Sequence, residues 1–175
     1  MNLANKLTLA RMIAVPIYFY MALYTDYRLL SLIVFALAAL TDYLDGYIAR
    51  KYSMITALGQ LMDPLADKFL TLSAFTVFMA QGLISPLVLL IVTLREILIS
   101  VFRAVAASKD IVIAASVYGK LKTVLQMATI LVLHWLRLYN IDINLYHRIL
   151  IWLMALATVL SAVDYIWKNK EVLKE

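Results

Sequence analysis

Six apolar runs, near residues 7–24, 29–50, 58–80, 84–106, 116–138 and 146–167, dominate this chain and limit what it can fold into. A hydrocarbon core of roughly 30 Å takes about 20 helical residues to cross, and the runs have about that length. The breaks between them are short and polar: "YTDYR", "KYSMIT", "QGLISP", "ASKDIV" and "NIDIN". Composition agrees, with 65% hydrophobic residues and a mean hydropathy of +0.88, where a soluble domain averages nearer half apolar. The predicted fold is therefore all-α: an integral membrane bundle of six transmembrane helices. The first ten residues are expected to form an N-terminal interfacial helix leading into the first span. No linker, low-complexity run or short repeat divides the chain, which predicts a single membrane domain over 1–175.

Lysine and arginine orient such a bundle. With a cytoplasmic N-terminus, thirteen of the sixteen fall on the cytoplasmic side or in the inner halves of the spans. Only Arg28, Arg137 and Arg148 fall on the other side. Both termini are expected to be cytoplasmic. The start, "MNLANKLTLAR", carries only Lys6 and Arg11 before the apolar run and no small-residue cleavage site soon after, so it reads as mature chain. The chain has no cysteine, which excludes disulfides, thiolate metal sites and cysteine nucleophiles. Its compact length and lack of a targeting segment predict a multi-pass protein of a bacterial inner (cytoplasmic) membrane.

Against this apolar background, the segment from Asp42 to Asp67 holds four aspartates at helical spacings. Asp42 and Asp45 are three apart and Asp63 and Asp67 four apart, so each pair shares a helix face. Gly46 and Ala49 continue the first stripe, and Gly59 precedes Asp63 by four; such small residues admit a ligand or a neighbouring backbone. Counted from the outer surface, Asp42 lies about 20 Å and Asp67 roughly 22 Å deep at 1.5 Å per residue. Two antiparallel helices would bring the four acids to similar depth, facing a cavity open to the cytoplasm. Four crowded carboxylates cannot all ionise without compensation, and charge inside a membrane is costly. Protonation, basic partners or metal would each compensate. Oxygen-only ligation favours a hard ion, Mg²⁺ or Mn²⁺, and two such ions form a clamp for displacement at phosphorus.

Asp42-x-x-Asp45-Gly46-x-x-Ala49-Arg50, eight residues, Gly59, three residues, Asp63, three residues, Asp67 resembles the signature of the CDP-alcohol phosphotransferase family. All eight fixed positions and every gap match over 26 residues. The resemblance implies a six-helix integral membrane enzyme, often a homodimer, that displaces CMP from a CDP-linked lipid with an alcohol. It implies Asp42, Asp45, Asp63 and Asp67 as ligands of two divalent cations, Mg²⁺ or Mn²⁺, with Asp67 also the general base. Gly46, Ala49 and Gly59 would make room for CDP-diacylglycerol, with Arg50 as its cationic neighbour. Three further stretches, "NKLTLAR" at 5–11, "REILISVFR" at 95–103 and "GKLKT" at 119–123, are similar to members that transfer the phosphatidyl group to sn-glycerol 3-phosphate. Ala4 departs from the proline common there, which bears on the shape of the entry turn.

Asn5, Thr8 and Arg11 are three apart and share a face. They read as help for the nucleotide or headgroup, or as a capped interfacial helix. Arg95 and Arg103, eight apart, can lean toward one pocket, although Glu96 is also placed to pair with Arg103. Lys120 and Lys122 stand near the start of the fifth run, where a helix dipole favours anions. Such cations suit an acceptor that carries phosphate. The expected acceptor is therefore sn-glycerol 3-phosphate, with inositol phosphate as the alternative within the same chemistry. A divalent cation transporter is the reading from another class, but the outer halves of the second and third runs lack the polar residues of a through-pathway. His134, His147 and the tryptophans are expected at the interface, Asp164 to pair with a neighbouring lysine or cap the pocket, and "KNKEVLKE" to be a solvated, lipid-touching tail.

Overall fold

A computed structural model describes the backbone of residues 3–51, 57–109, 111, 113 and 116–173, and side chains over 7–41, 62, 65–109, 111, 113 and 116–172. The described residues form six α-helices and a closing 3₁₀ turn, with no strand among them. The "KYSMIT" break lies, apart from Lys51, outside the described residues. The helices group into two compact units, one ending at Gln81 and the other starting at Gly82.

The first unit comprises α1 (Leu3–Tyr24), α2 (Arg28–Lys51) and α3 (Ala57–Ala80). In it α1 packs against both α2 and α3, and α2 also meets α3. The buried stripe on α2, Ser31, Phe35 and Ala38, has the 4-then-3 spacing that returns a helix to one face. Ala22, Ala38, Ala66 and Ala74 are all buried, and small side chains let helix backbones approach. Tyr18 and Phe35 fill the space between α1 and α2, with ring centroids 5.4 Å apart. At the far end, Gln81 Nε2 donates to the Ala22 carbonyl at 2.9 Å and ties the end of α3 to the end of α1. Ile13, Ile17, Ile33, Leu37 and Leu40 point outward, as they should where the surroundings are lipid.

No break separates an interfacial helix from the first span, contrary to the expectation from sequence: α1 runs unbroken from Leu3 to Tyr24. The reason is local. Residues 3–15 contain neither glycine nor proline, so nothing ends the helix before Pro16, and that proline sits inside it.

The second unit comprises α4 (Pro86–Ser108), α5 (Val117–Tyr139), α6 (Leu145–Lys168) and the 3₁₀ turn Lys170–Leu173. Here α6 is the central element, packed on both α4 and α5. Its ends are chemically specified. Ser85 caps α4 with Pro86 in the first turn, and Ser116 accepts from Gly119 N at 3.1 Å to cap α5. Asn140 ends α5 in the left-handed region at φ 51°, and Asn144 and His147 exchange hydrogen bonds as a capping box on α6. The last turn folds back, burying Val172 with Ile99, Phe102, Ala106 and Tyr165. Lys109 Nζ donates to the Val172 carbonyl at 3.1 Å. This part of the tail is thus packed, not solvated, because Val172 offers the one β-branched apolar side chain in "KNKEVLKE".

Three helices are long and apolar enough to cross a membrane among the described residues: Leu7–Tyr24, Val117–Tyr139 and Leu145–Lys168. Residues Arg28–Thr41 form a shorter apolar stretch. The six-span expectation is therefore met in helix number and length, and in apolar character for these three helices among the described residues. At 24, 24 and 23 residues, α2, α3 and α4 have the length. Their apolar runs are interrupted by Asp42 and Asp45, by Asp63, Asp67 and Lys68, and by Arg95, Glu96 and Arg103. The apolar helices mark the chain as a membrane protein.

Candidate active site

The signature residues lie on continuous helix. Asp42, Asp45, Gly46, Ala49 and Arg50 occupy the second half of α2, and Gly59, Asp63 and Asp67 the first half of α3. The spacings of three and four therefore act as helical spacings. The side chains at these positions, Asp67 excepted, and that of Asn5 fall outside the described ones. Asp67 is exposed, and its carbonyl accepts from Thr71 Oγ1 at 3.2 Å, an ordinary helical back-bond that leaves the carboxylate's role untouched. Among the described residues no three His, Cys, Asp or Glu side chains gather as a metal site. The donor set of the signature, carboxylate oxygen with no cysteine in the chain, is nonetheless the chemistry of a hard divalent cation.

Packed against both signature helices, α1 carries Thr8 and Arg11, which are only 2% and 1% exposed. Sequence spacing left these two open between a substrate role and an interfacial cap. A cap at the headgroups would leave them wet; instead they sit on the same inward stripe as Tyr18 and Ala22. Burial of a guanidinium is expensive unless charge or hydrogen bonds compensate it. Arg11 is therefore an integral part of the helix interface on which the signature stands.

The second unit gathers the cations. Glu96, 7% exposed, accepts from Lys122 Nζ and from Arg95 Nη1, the latter at 3.2 Å. Arg95 Nη2 in turn donates to Ser161 Oγ at 2.8 Å, so α4, α5 and α6 share one polar cluster. The alternative pairing of Glu96 with Arg103 does not form. Arg103 Nε donates to Tyr165 OH at 2.9 Å, and its guanidinium lies 5.4 Å from the centroid of that ring. Of the four basic residues expected to meet an acceptor phosphate, Lys122 is buried at 6% exposure and engaged with Glu96. Arg103 and Lys120 are exposed, and Arg95 is half-buried.

Sequence reading missed Ser161 and Tyr165 and did not identify Lys122 as the partner of Glu96. The available signal was Glu96 itself: an acid in an otherwise apolar stretch must find cations, but which ones depends on the rotation of α5. His134 is a similar case. Expected at the interface, it is 2% exposed within the inward stripe of α5, beside Leu133 and Ile130. His147 does lie at a helix end, as the capping partner of Asn144. Asp164 pairs with Lys168 at 2.7 Å, one helical turn away, as anticipated.

A signature of this kind on two packed helices, in a membrane protein, defines a class. Residues 1–163 match the family model described as CDP-alcohol phosphatidyltransferase, and the chain belongs to that family. It is 34% identical over 169 residues to a protein of Rickettsia bellii, covering 94% of this chain and 93% of the relative. It is 33% identical to one of Bacillus subtilis, covering 99% and 97%, and 32% identical to one of Aquifex aeolicus over the full length of both. All three relatives bear the name CDP-diacylglycerol–glycerol-3-phosphate 3-phosphatidyltransferase.

Proposed function

We propose that this chain is the enzyme that moves the phosphatidyl group of CDP-diacylglycerol to sn-glycerol 3-phosphate, giving phosphatidylglycerophosphate and CMP. The observation that carries the reading is the complete signature from Asp42 to Asp67, set on the adjoining helices α2 and α3. Full-length relatives that share one name support the choice of acceptor.

The chemistry asks little covalent work of the protein. The acceptor hydroxyl attacks the phosphorus attached to diacylglycerol; the new P–O bond forms as the bond to the CMP phosphate breaks. Asp67 takes the hydroxyl proton, the role for which a carboxylate within hydrogen-bond reach suffices. Asp42, Asp45, Asp63 and Asp67 would hold two divalent cations, Mg²⁺ or Mn²⁺, which when bound neutralise the pyrophosphate and the departing CMP. Gly46, Ala49 and Gly59 leave room for CDP-diacylglycerol, while Asn5, Thr8, Arg11 and Arg50 orient it. Arg95, Arg103, Lys120 and Lys122 serve the acceptor phosphate. Arg103 and Lys120 make direct contact; the buried Lys122 acts through its pairing with Glu96, which also holds Arg95.

The chain works as one domain of six membrane spans and as a homodimer. Its site and both termini face the cytoplasm at the inner membrane, the side favoured by thirteen of its sixteen basic residues. An acceptor screen tests the proposal. Purified full chain in detergent receives CDP-diacylglycerol with Mg²⁺ or Mn²⁺, and CMP release is followed with glycerol 3-phosphate, inositol phosphate, serine or no acceptor. Release with glycerol 3-phosphate alone, abolished by a chelator and restored by the cation, is the expected result. Release with another alcohol instead would overturn the acceptor assignment, and none with any acceptor would overturn the enzyme.

A further inference from the structure

The second unit holds a cavity that the proposed reaction does not use. Its volume is about 290 Å³, and Leu83, Ile84, Val88, Ile151, Trp152 and Arg148 line it. It forms where the starts of α4 and α6 come together, beneath the turn in which Gly82 adopts φ 72°. Ser85 stands about 27 Å along α4 from Arg103, at 1.5 Å per residue, so the cavity lies at the opposite end of this helix. It also lies at the start of α6, one of the three helices apolar enough to cross a membrane, and next to the end of another, α5. That places it at the level of lipid headgroups.

Two kinds of wall meet there. Ile84, Val88 and Ile151 are buried and apolar, and Trp152 offers a half-exposed indole. Arg148 is exposed and makes no side-chain hydrogen bond or ion pair among the described residues. The neighbouring loop carboxylate, Asp142, is exposed and does not pair with it. The start of α4 adds little to the anion affinity, because Ser85 Oγ already accepts from Val88 N at 3.4 Å. The guanidinium is the anion-binding element, and its fork suits two oxygens of one phosphate. Outside the cavity the flank continues apolar and exposed, through Leu87, Leu90, Ile149 and Leu153.

We infer that this cavity is a second lipid site, which binds the phosphodiester and glycerol of an anionic phospholipid on the membrane face opposite Arg103. Arg148 takes the phosphate, Trp152 and the isoleucines cover the glycerol, and the acyl chains run along the leucine flank. A volume of about 290 Å³ holds a headgroup and not two acyl chains, which is why the outer flank matters. A zwitterionic lipid presents the same phosphate with a neighbouring cation and loses the charge complementarity to Arg148. The bland competitor is an arginine that snorkels to the interface without any bound lipid.

Native mass spectrometry of the full chain in detergent, with added phosphatidylglycerol or phosphatidylcholine, separates the two. Arg148→Gln is expected to lower retained phosphatidylglycerol about tenfold, equivalent to about 1.4 kcal/mol, and to leave phosphatidylcholine unchanged. Leu83→Trp, which fills the cavity while keeping the charge, is expected to do the same. Lys170→Gln removes an equally exposed cation elsewhere and should change nothing. Loss in Arg148→Gln but not in Leu83→Trp would reduce Arg148 to a snorkelling surface charge and overturn the site. Equal retention in Arg148→Gln and the unaltered chain would overturn it too. Displacement of the lipid by soluble glycerol 3-phosphate from the unaltered chain, but not from Arg148→Gln, would assign the cavity to free phosphate instead. None of these readings requires the enzyme to turn over.

Discussion

In the first unit the charges that matter are carboxylates at helical spacings on α2 and α3; in the second they are cations folded around one carboxylate, Glu96. The signature acids need no distant partner to be recognised, since a spacing of three or four places two residues on one face wherever the helix goes. The cation cluster is different. It joins α4 to α5 across 26 residues and α4 to α6 across 66, so it exists only once three helices have packed. One unit displays its charges in the order of its residues; the other assembles them.

The largest test of this contrast is Asp67→Asn. If the first unit performs the chemical step, CMP release should fall about 10³-fold in kcat, with the KM for glycerol 3-phosphate little changed, as steady-state assays would register. A comparable rise in KM alone would place acceptor binding, not proton transfer, at Asp67.

Glu96→Gln probes the assembled unit. The buried Lys122 and the half-buried Arg95 would lose their shared anion, a change that costs about 3 kcal/mol when one partner of a buried pair is removed. The thermal midpoint in detergent should drop accordingly, and the double variant Glu96→Gln, Lys122→Met should recover much of it. No recovery would mean that Glu96 serves Arg95 and not Lys122.

Arg103→Gln is expected to raise the KM for glycerol 3-phosphate about tenfold, a typical weight for one charge-assisted contact, with kcat and the KM for CDP-diacylglycerol nearly constant. A fall in kcat instead would blur the division of labour between the units. The smallest effect belongs to Tyr165→Phe. It removes the hydroxyl that accepts from Arg103 Nε but keeps the ring beneath the guanidinium. A loss of about 1 kcal/mol or less would show as a KM shift of only a fewfold in the same assay.

Much of the fold is legible in the sequence. Helices were expected where six apolar runs lie, and the polar breaks at residues 24–28, 81–86 and 140–144 do end them. Those breaks carry their own chemistry: Gly82 with a positive φ, Ser85 before Pro86, Asn140 in the left-handed region and Asn144 as a cap. The pairing of Asp164 with Lys168 was equally local. Expectations went astray where a side chain's surroundings come from another element. His134 and the aromatic belt residues have similar positions in their runs, yet Trp135 is exposed and His134 is buried. The difference is a rotation of about 100° around α5, which decides the face but leaves no mark on hydropathy.

The sequence by itself determined the helical class, the membrane setting and the spacing of the aspartates, because each depends on residues within a turn or two of one another. Tertiary structure alone decided that Arg11 is buried between helices, that Glu96 turns to Lys122 and Arg95, that Val172 anchors the end of the chain, and that Arg148 borders a cavity. Those outcomes depend on how helices rotate and pack, and packing is a property of neighbours far apart in the chain.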